Sequence, residues 1–147
     1  MTEYVSRVFR TMGLQIGIRY ENSPVCVPDG TEAPPDDPAD YIATARPGAR
    51  APHVALPDGR STLDLFGRGF VLMDMATAGE SPANVAELEK AAQAIKLPIR
   101  IERITEPAVR KVYEKKLALV RPDGHVAWRG DAIPHGVAAL IDRVRGA

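Results

Sequence analysis

The stretch from Leu117 to Arg129, LALVRPDGHVAWR, decides how this chain is expected to fold. Its first four residues form an apolar run of strand length. Val126 and Trp128 then alternate with their neighbours, as in a half-buried strand. Arg121-Pro122-Asp123-Gly124 supplies the reversal, because proline presets φ and glycine accepts a left-handed conformation. The stretch therefore predicts a β-hairpin closed by a type I turn and a glycine bulge.

The sequence on either side of the hairpin predicts the rest of an α/β fold. The most apolar run, residues 70–75, is predicted to be a central strand covered on both faces. Ser81-Pro82 is expected to start a helix that runs to about Lys96, and residues 99–104 form the next strand region. Further predicted elements are a short strand at 53–56, a capped helical turn after Ser61 and helices from Thr105 and Pro134. The order of all these elements along the chain predicts a mixed, thioredoxin-like sheet with flanking helices.

The predicted core combines apolar positions from these strands and helices. The last helix is expected to turn Val137, Leu140, Ile141 and Val144 inward. The full set of predicted core residues is Val54, Leu56, Phe70, Leu72, Leu88, Ile95, Leu119, Val120, Trp128, Leu140 and Ile141.

The sequence before residue 51 is expected to form an arm and a tether. Residues 1–30 form the arm, with a helix over 2–12 ended by Gly13, a strand over 14–20 and a short strand over 25–27. Residues 31–50 are proline-rich and are predicted to be a solvated linker. Residues 51–147 are then the compact thioredoxin-like domain.

Composition excludes several classes of function. Lysine plus arginine and aspartate plus glutamate number 19 each, so the formal charge is zero and nucleic acid is a poor candidate partner. No apolar run approaches the roughly 18 residues of a membrane helix, and the polar start shows no signal peptide. A single cysteine, Cys26, excludes an intrachain disulfide and a CxxC pair. We expect a cytoplasmic protein.

The residues that a thioredoxin-type enzyme needs are missing. Such enzymes place a thiol where the helix after the central strand begins, but residues 76–81 read ATAGES. Ser81 is expected to be a helix cap, and Cys26, between two valines, a small buried hydrophobe. The three histidines lack metal-pair spacing, the linker aspartates lack the pattern of a calcium loop, and no phosphate-binding glycine motif is present. We therefore assign no catalytic, cofactor-binding or metal-binding residue.

Four segments resemble one known family. They are similar to the carboxy-terminal part of FAD-dependent aromatic-ring hydroxylases, which are the phenol and polyketide hydroxylases of the class A flavoprotein monooxygenases. The four segments are GLQIGIRYENSPVCVPDG, the proline-rich tether, PGARAPHVALPDGRSTLDLFGRGFVLM and LALVRPDGHVAWRG. The resemblance covers about residues 13–145, and RAPH and RPDGHVAWRG are its most specific parts. It implies a thioredoxin-like domain without redox cysteines that follows FAD-binding and substrate-binding domains.

The resemblance implies an oxidoreductase context without catalysis by this chain. The family's GxGxxG, DG and GD flavin motifs are absent here, so FAD is expected to bind elsewhere in the full-length enzymes. The favoured function is docking on a flavin-binding monooxygenase body or formation of a homodimer. A redox domain and a small-ligand module are the alternatives. The predicted association surface is one apolar stripe and the strand face after it: Val5, Val8, Phe9, Met12, Ile16, Ile18 and Tyr20.

Overall fold

A computed structural model describes residues 12–80 and 84–147. Its helices are α1 (Met12–Ile16), α2 (Val85–Ala94), α3 (Pro107–Tyr113) and α4 (Val137–Arg145), with a 3₁₀ helix at Thr62–Leu65. Its strands are β1 (Phe70–Asp74), β2 (Ile99–Arg103), β3 (Leu117–Val120) and β4 (Val126–Gly130). No helix in these ranges is long and apolar enough to span a bilayer.

The four strands form one mixed sheet in the order β2-β1-β3-β4. β1 and β2 are parallel and are connected through α2, whereas β1–β3 and β3–β4 are antiparallel. The predicted α/β class, with a mixed sheet and flanking helices, is confirmed.

The hairpin turn follows the chemistry of its residues. The amide of Gly124 donates to the carbonyl of Arg121 at 2.9 Å, and Gly124 has a φ of 80°. The register between β3 and β4 shifts at Leu119/Val120, which accommodates the extra residue of a bulge. Proline and glycine were therefore reliable signals for this reversal.

Apolar side chains cover both faces of the sheet. On one face α2 and α4 pack over Leu72, Leu119 and Trp128. On the other face α3 and the 3₁₀ helix pack over Val71, Met73 and Val120. β1 is buried along its whole length, as predicted for the central strand.

Most of the predicted core is confirmed, with one error. Phe70, Leu72, Leu88, Leu119, Val120, Trp128, Leu140 and Ile141 are buried. Val54 and Leu56 are half-buried against the second cluster. Ile95 is 44% exposed, because α2 ends at Ala94 and Ile95 turns away from the helical face.

The arm differs from its predicted secondary structure. Residues 14–16 are helical, so the strand predicted over 14–20 is wrong, and Gly13 lies inside α1 instead of ending a helix. Within residues 12–30, the isolated β-bridge from Arg19 to Ala49 is the only strand-like pairing. Neither 25–27 nor 53–56 forms a strand, although Ala55 makes a single bridge to Ser61.

Helix starts also differ by a few residues. α2 begins at Val85 after Asn84 in the left-handed conformation, and the predicted start at Ser81-Pro82 lies outside the described residues. α4 begins at Val137 after a left-handed Gly136, three residues beyond Pro134. The capped turn after Ser61 is confirmed, because Ser61 and Asp64 form a reciprocal capping box.

The outer edge of β4 is covered by the chain that precedes the sheet. Val27 donates its amide to the carbonyl of Ala127 at 2.8 Å. Gly48 donates to the carbonyl of Val126 at 2.7 Å, and the amide of Val126 donates to Ala49 at 2.9 Å. This cover satisfies backbone groups that would otherwise form an open sheet edge.

Candidate functional site

The position where a thioredoxin-type enzyme carries its thiol is a closed polar loop here. Asp74, at the end of β1, is buried and accepts a hydrogen bond from the amide of Ala76 at 3.1 Å. Thr77 then donates its hydroxyl and its amide to one carboxylate oxygen of Glu80, at 2.8 and 3.1 Å. Both groups of Thr77 are therefore held by Glu80, and Ser81 lies outside the described residues.

Two basic side chains complete the loop. Arg110 contacts both oxygens of Glu80, at 2.5 and 3.3 Å, and Lys116 lies 3.3 Å from one of them. Hydrogen bonds from Arg110 and then from Thr77 hold the pKa of Glu80 well below its usual range. Glu80 is therefore a permanent anion at neutral pH and is unsuited to general acid–base catalysis there.

Cys26 has the environment of a buried hydrophobe. It is 4% exposed, and its thiol lies 3.8 Å from the carbonyl of Val126. Burial raises the pKa of the Cys26 thiol, which disfavours the nucleophilic thiolate. The predicted buried position is confirmed.

The three histidines lie apart and do not form a catalytic or metal-binding group. His53 contacts the capping hydroxyl of Ser61 at 2.6 Å, and His135 is exposed. His125 is buried with its ring centroid 4.7 Å from that of Tyr20, and its Nδ1 approaches Asp123 only to 3.5 Å. Within residues 12–80 and 84–147, no three histidine, cysteine or acidic side chains converge as metal ligands.

The predicted association surface is described only in part. Val5, Val8 and Phe9 lie outside the described residues, and for Met12 only the backbone is described. Ile16 is half-buried, whereas Ile18 and Tyr20 are 57% and 51% exposed.

A residue that the sequence did not single out joins this surface. Ile42 is 42% exposed and, with Ile18, lines an open cleft of about 390 Å³ beside α1. The cleft is also lined by charged residues, namely Arg19, Glu21, Asp36, Asp37 and Asp40. We call Ile18, Tyr20 and Ile42 the arm surface. No periodicity in the proline-rich segment could have indicated Ile42.

Ion pairs connect the arm to the proline-rich segment. Arg19 contacts Glu21 at 3.1 Å, donates to the carbonyl of Pro34 at 3.1 Å and also pairs with Asp36. Arg46 lies 3.0 Å from Glu21 and donates to the carbonyl of Thr31 at 3.0 Å. The tether and the arm are therefore cross-linked by two arginines.

A buried arginine ties the arm to the hairpin. Arg129 lies on β4 with its side chain 1% exposed, 2.5 Å from Asp29 and 3.1 Å from Glu114. It also donates to the carbonyl of Tyr113 at 3.1 Å. Burial raises the pKa of Asp29, but hydrogen bonds from Thr31 and Arg129 outweigh that effect and lower the pKa. A half-buried strand would leave one face of β4 in solvent, so this part of the prediction is wrong at Arg129.

The family follows from comparison with known proteins. Residues 44–147 match the family model described as aromatic-ring hydroxylase, C-terminal. The chain belongs to this family. The resemblance seen in the sequence is thereby confirmed.

Curated relatives are considerably longer than this chain. It is 36% identical to the FAD-dependent monooxygenase apdD of Emericella nidulans over 84% of this chain and 20% of the relative. It is also 36% identical to aklavinone 12-hydroxylase RdmE of Streptomyces purpurascens, over 88% of this chain and 25% of that protein. The chain therefore spans between 20% and 29% of the length of the curated relatives it matches.

Solved structures give the same result. RebC soaked with chromopyrrolic acid and with bound 7-carboxy-K252c superposes with a TM-score of 0.82 at 39% identity, over 96% of this chain and 25% of RebC. A ternary complex of aklavinone-11 hydroxylase with FAD and aklavinone gives a TM-score of 0.67 at 32% identity, over 88% of this chain and 26% of that one. The fold described above is thus also the fold of one region in each of these two longer proteins.

Proposed function

We propose that this chain acts as a non-catalytic, thioredoxin-like C-terminal domain of a FAD-dependent aromatic-ring monooxygenase and docks on its flavin-binding body. The observation that carries the proposal is the family match over residues 44–147, combined with coverage of only about a quarter of relatives such as RdmE. The polar loop at 76–80 supports it, since that loop offers a saturated carboxylate where a redox domain needs a thiol. A cytoplasmic location belongs to the proposal and fits a single unpaired cysteine.

The arm surface is the proposed docking site. Ile18, Tyr20 and Ile42 are large apolar side chains that remain about half exposed in the isolated chain. Contact with a larger body would remove that apolar area from water, which is favourable. The arginine contacts of Arg19 and Arg46 fix the surface in place, so docking requires little ordering of the arm.

The first test asks whether the chain holds flavin by itself. The purified 147-residue protein is expected to show no flavin absorption near 450 nm and no binding in a titration with FAD. A chimaera then joins it to the RdmE body in place of the corresponding C-terminal quarter. The chimaera is expected to retain FAD and to melt in one transition. Stoichiometric flavin on the isolated chain would contradict the proposal.

Matched substitutions locate the docking site in the chimaera. Ile18→Glu with Tyr20→Glu is expected to split the melting curve into separate transitions for the body and the tail, because charge is placed in the contact. Leu63→Glu is the control, since Leu63 is 43% exposed but lies on the 3₁₀ helix, away from the arm. Equal effects of the two changes would assign docking to another surface.

Self-association through residues 1–27 is a second candidate, favoured by the exposure of Ile18 and Tyr20. A homodimer of this kind would use the same arm surface without a flavin-binding body. Light scattering separates the two, because Ile18→Glu with Tyr20→Glu would then convert a dimeric full chain to a monomer. A monomeric wild-type chain at high micromolar concentration rules this candidate out.

A redox function makes the opposite prediction for Cys26. Since the thiol is buried and its pKa is raised, Cys26→Ser is expected to leave any activity unchanged, with a modest loss of stability from the hydroxyl. Reduction of insulin with dithiothreitol is the measurement. Turnover by the wild type that is lost in a folded Cys26→Ser variant would restore the redox hypothesis.

A further inference from the structure

The outer side of β2 is an open sheet edge in the described part of the chain. Phe70 donates its amide to Pro98 at 2.9 Å, and Ile104 donates its amide to Asp74 at 2.8 Å. These bonds fix which residues of β2 turn their backbone groups toward β1. By contrast, the other end of the sheet, at β4, is covered by residues around Val27 and Gly48.

The alternation of backbone direction along β2 then shows which amides and carbonyls point away from β1. Backbone groups of Arg100 and Glu102 point to β1 in the parallel ladder, so those of Ile99, Ile101 and Arg103 point outward. No described residue outside the sheet forms a hydrogen bond with these outward groups. A row of unpaired amides and carbonyls is a template for one more strand.

The sequence of β2, IRIER, is complementary to itself in the antiparallel direction. When two copies are paired about Ile101, Arg100 of one copy stands opposite Glu102 of the other, and the reverse pair forms on the opposite side. Ile99 stands opposite Arg103. Opposite charges placed directly across two strands are favourable, whereas a run of like charges would repel a second copy.

The hydrogen-bond geometry agrees with the same register. Because the backbone groups of Ile101 point outward, the central Ile101 pair exchanges both of its hydrogen bonds, as do the Ile99–Arg103 pairs beside it. Arg100 and Glu102 then occupy the non-hydrogen-bonded positions, where Cα atoms are about 4.5 Å apart and side chains approach most closely. Charge pattern and backbone direction therefore select one register.

We propose that β2 is a self-association site, at which two copies of this chain pair antiparallel about Ile101 and join their sheets across a two-fold axis. The proposal does not depend on the function proposed above. Within one chain, Nε of Arg100 lies 2.7 Å from Oε1 of Glu102, and the two side chains are 51% and 28% exposed. Each side chain can therefore leave this pair and form the corresponding pair with the second copy. The contact is small and is expected to give a weak, concentration-dependent dimer.

Charge reversal supplies the test. Arg100→Glu alone places Glu opposite Glu, and Glu102→Arg alone places Arg opposite Arg, so each variant is expected to associate at least tenfold more weakly than the wild type in sedimentation velocity. An equimolar mixture of the two variants is expected to restore dimers, because their strands are complementary. The double variant R100E/E102R is expected to dimerise like the wild type.

Control measurements separate this edge from the arm. Arg60→Glu reverses a charge in a comparable pair two residues apart, Arg60–Asp58 at 2.8 Å, and is expected to change nothing. In the wild type, protection of the amides of Ile99, Ile101 and Arg103 from hydrogen exchange is expected to rise with concentration, while that of Tyr20 does not. This measurement stays decisive even if loss of the Arg100 bond to Leu65, at 2.6 Å, prevents one variant from folding.

Three results would overturn the proposal. One is a wild-type chain that stays monomeric at high micromolar concentration. Another is a dimer that both single reversals leave intact, which would place the association at a surface other than β2. The third is concentration-independent exchange at Ile101.

Discussion

Arg129 carries a guanidinium into the interior of the sheet, where Asp29, Glu114 and the carbonyl of Tyr113 surround it. Asp29 comes from the arm, 100 residues earlier in the chain. Its side chain is 10% exposed, so water screens this pair poorly. The pair therefore links the stability of the hairpin to the placement of the arm.

Asp29→Ala is expected to lower the free energy of unfolding by about 3 kcal/mol, the low end for breaking a buried ion pair, because Glu114 still faces Arg129. Asp36→Ala is the matched control. Its carboxylate also pairs with an arginine but is 88% exposed, so a loss under about 0.5 kcal/mol is expected. Urea unfolding measures both, and equal losses would mean that the Asp29 pair is screened like a surface pair.

The lowered pKa of Asp29 also predicts a pH dependence. A carboxyl whose pKa is lower in the folded than in the unfolded chain contributes stability above the unfolded value, about 3.9, and loses it as the pH falls through the folded value. Stability of the wild type is therefore expected to drop below about pH 4 more steeply than that of Asp29→Ala. Parallel curves would show that Asp29 does not contribute.

Leu72 tests the central strand at the same scale. It is fully buried between β2 and β3, so Leu72→Ala is expected to cost about 2–5 kcal/mol in urea unfolding. Leu63→Ala removes the same side chain at a position that is 43% exposed and is expected to cost much less. A loss under about 0.5 kcal/mol for Leu72→Ala would place β1 outside the core.

Sequence patterns predicted the burial of Leu72 but not that of Arg129, because other parts of the chain cover the second face of β4. The alternation around Trp128 implies a strand with one wet face. In the structure β4 is buried on both faces, because residues 45–51 and α3 cover the side that carries Arg129. Because the residues that bury this face of β4 are distant in sequence, the strand itself carries no pattern that would predict the burial.

At the scale of elements, the arm shows where periodicity fails. The apolar residues over 14–20 recur at every second position, which fits a strand, but a run this short also fits part of a helix. The chain is helical to Ile16 and then turns to meet Gly48. That turn depends on long-range hydrogen bonds, which local sequence does not encode.

Gly48 is the contact point between arm and sheet. Its φ is 95°, its carbonyl accepts the amide of Tyr20 at 2.8 Å, and an added Cβ would stand 2.6 Å from the carbonyl oxygen of Tyr20. Gly48→Ala is therefore expected to displace the arm and to raise hydrogen exchange at Tyr20. It should also lower the free energy of unfolding by more than the roughly 1–2 kcal/mol that alanine costs in the left-handed conformation.

Gly59→Ala is the control for this change. Gly59 has a similar φ of 85°, but an added Cβ would meet no atom within 4 Å. In urea unfolding, Gly59→Ala is expected to lose only the free energy that alanine costs in the left-handed conformation, and hydrogen exchange at Tyr20 is expected to stay unchanged. Equal costs for the two alanines would mean that the arm yields freely at Gly48.

At the scale of the whole molecule, local sequence signals predicted the sheet, whereas the division into arm, linker and domain stays a prediction. The hairpin, the central strand and α4 have strong local signals, and their combination predicted the mixed sheet. The division at residue 51 followed composition, since prolines mark residues 31–50 as a linker. Yet Ala45, Ala49 and Ala51 are buried, and small side chains of this kind carry almost no hydrophobic signal in a sequence.

We therefore expect residues 24–50 to belong to the same cooperative unit as the sheet. A chain of residues 24–147 keeps Val27 on β4, Asp29 on Arg129 and the bond from Arg143 to the carbonyl of Pro24, at 3.3 Å. A chain of residues 51–147 loses all three and opens the edge of β4. The shorter chain is expected to be less stable by at least about 3 kcal/mol, the cost of leaving Arg129 without Asp29. Urea midpoints and slopes measure this, and a shorter chain as stable as the longer one would show that residues 24–50 are a tether after all.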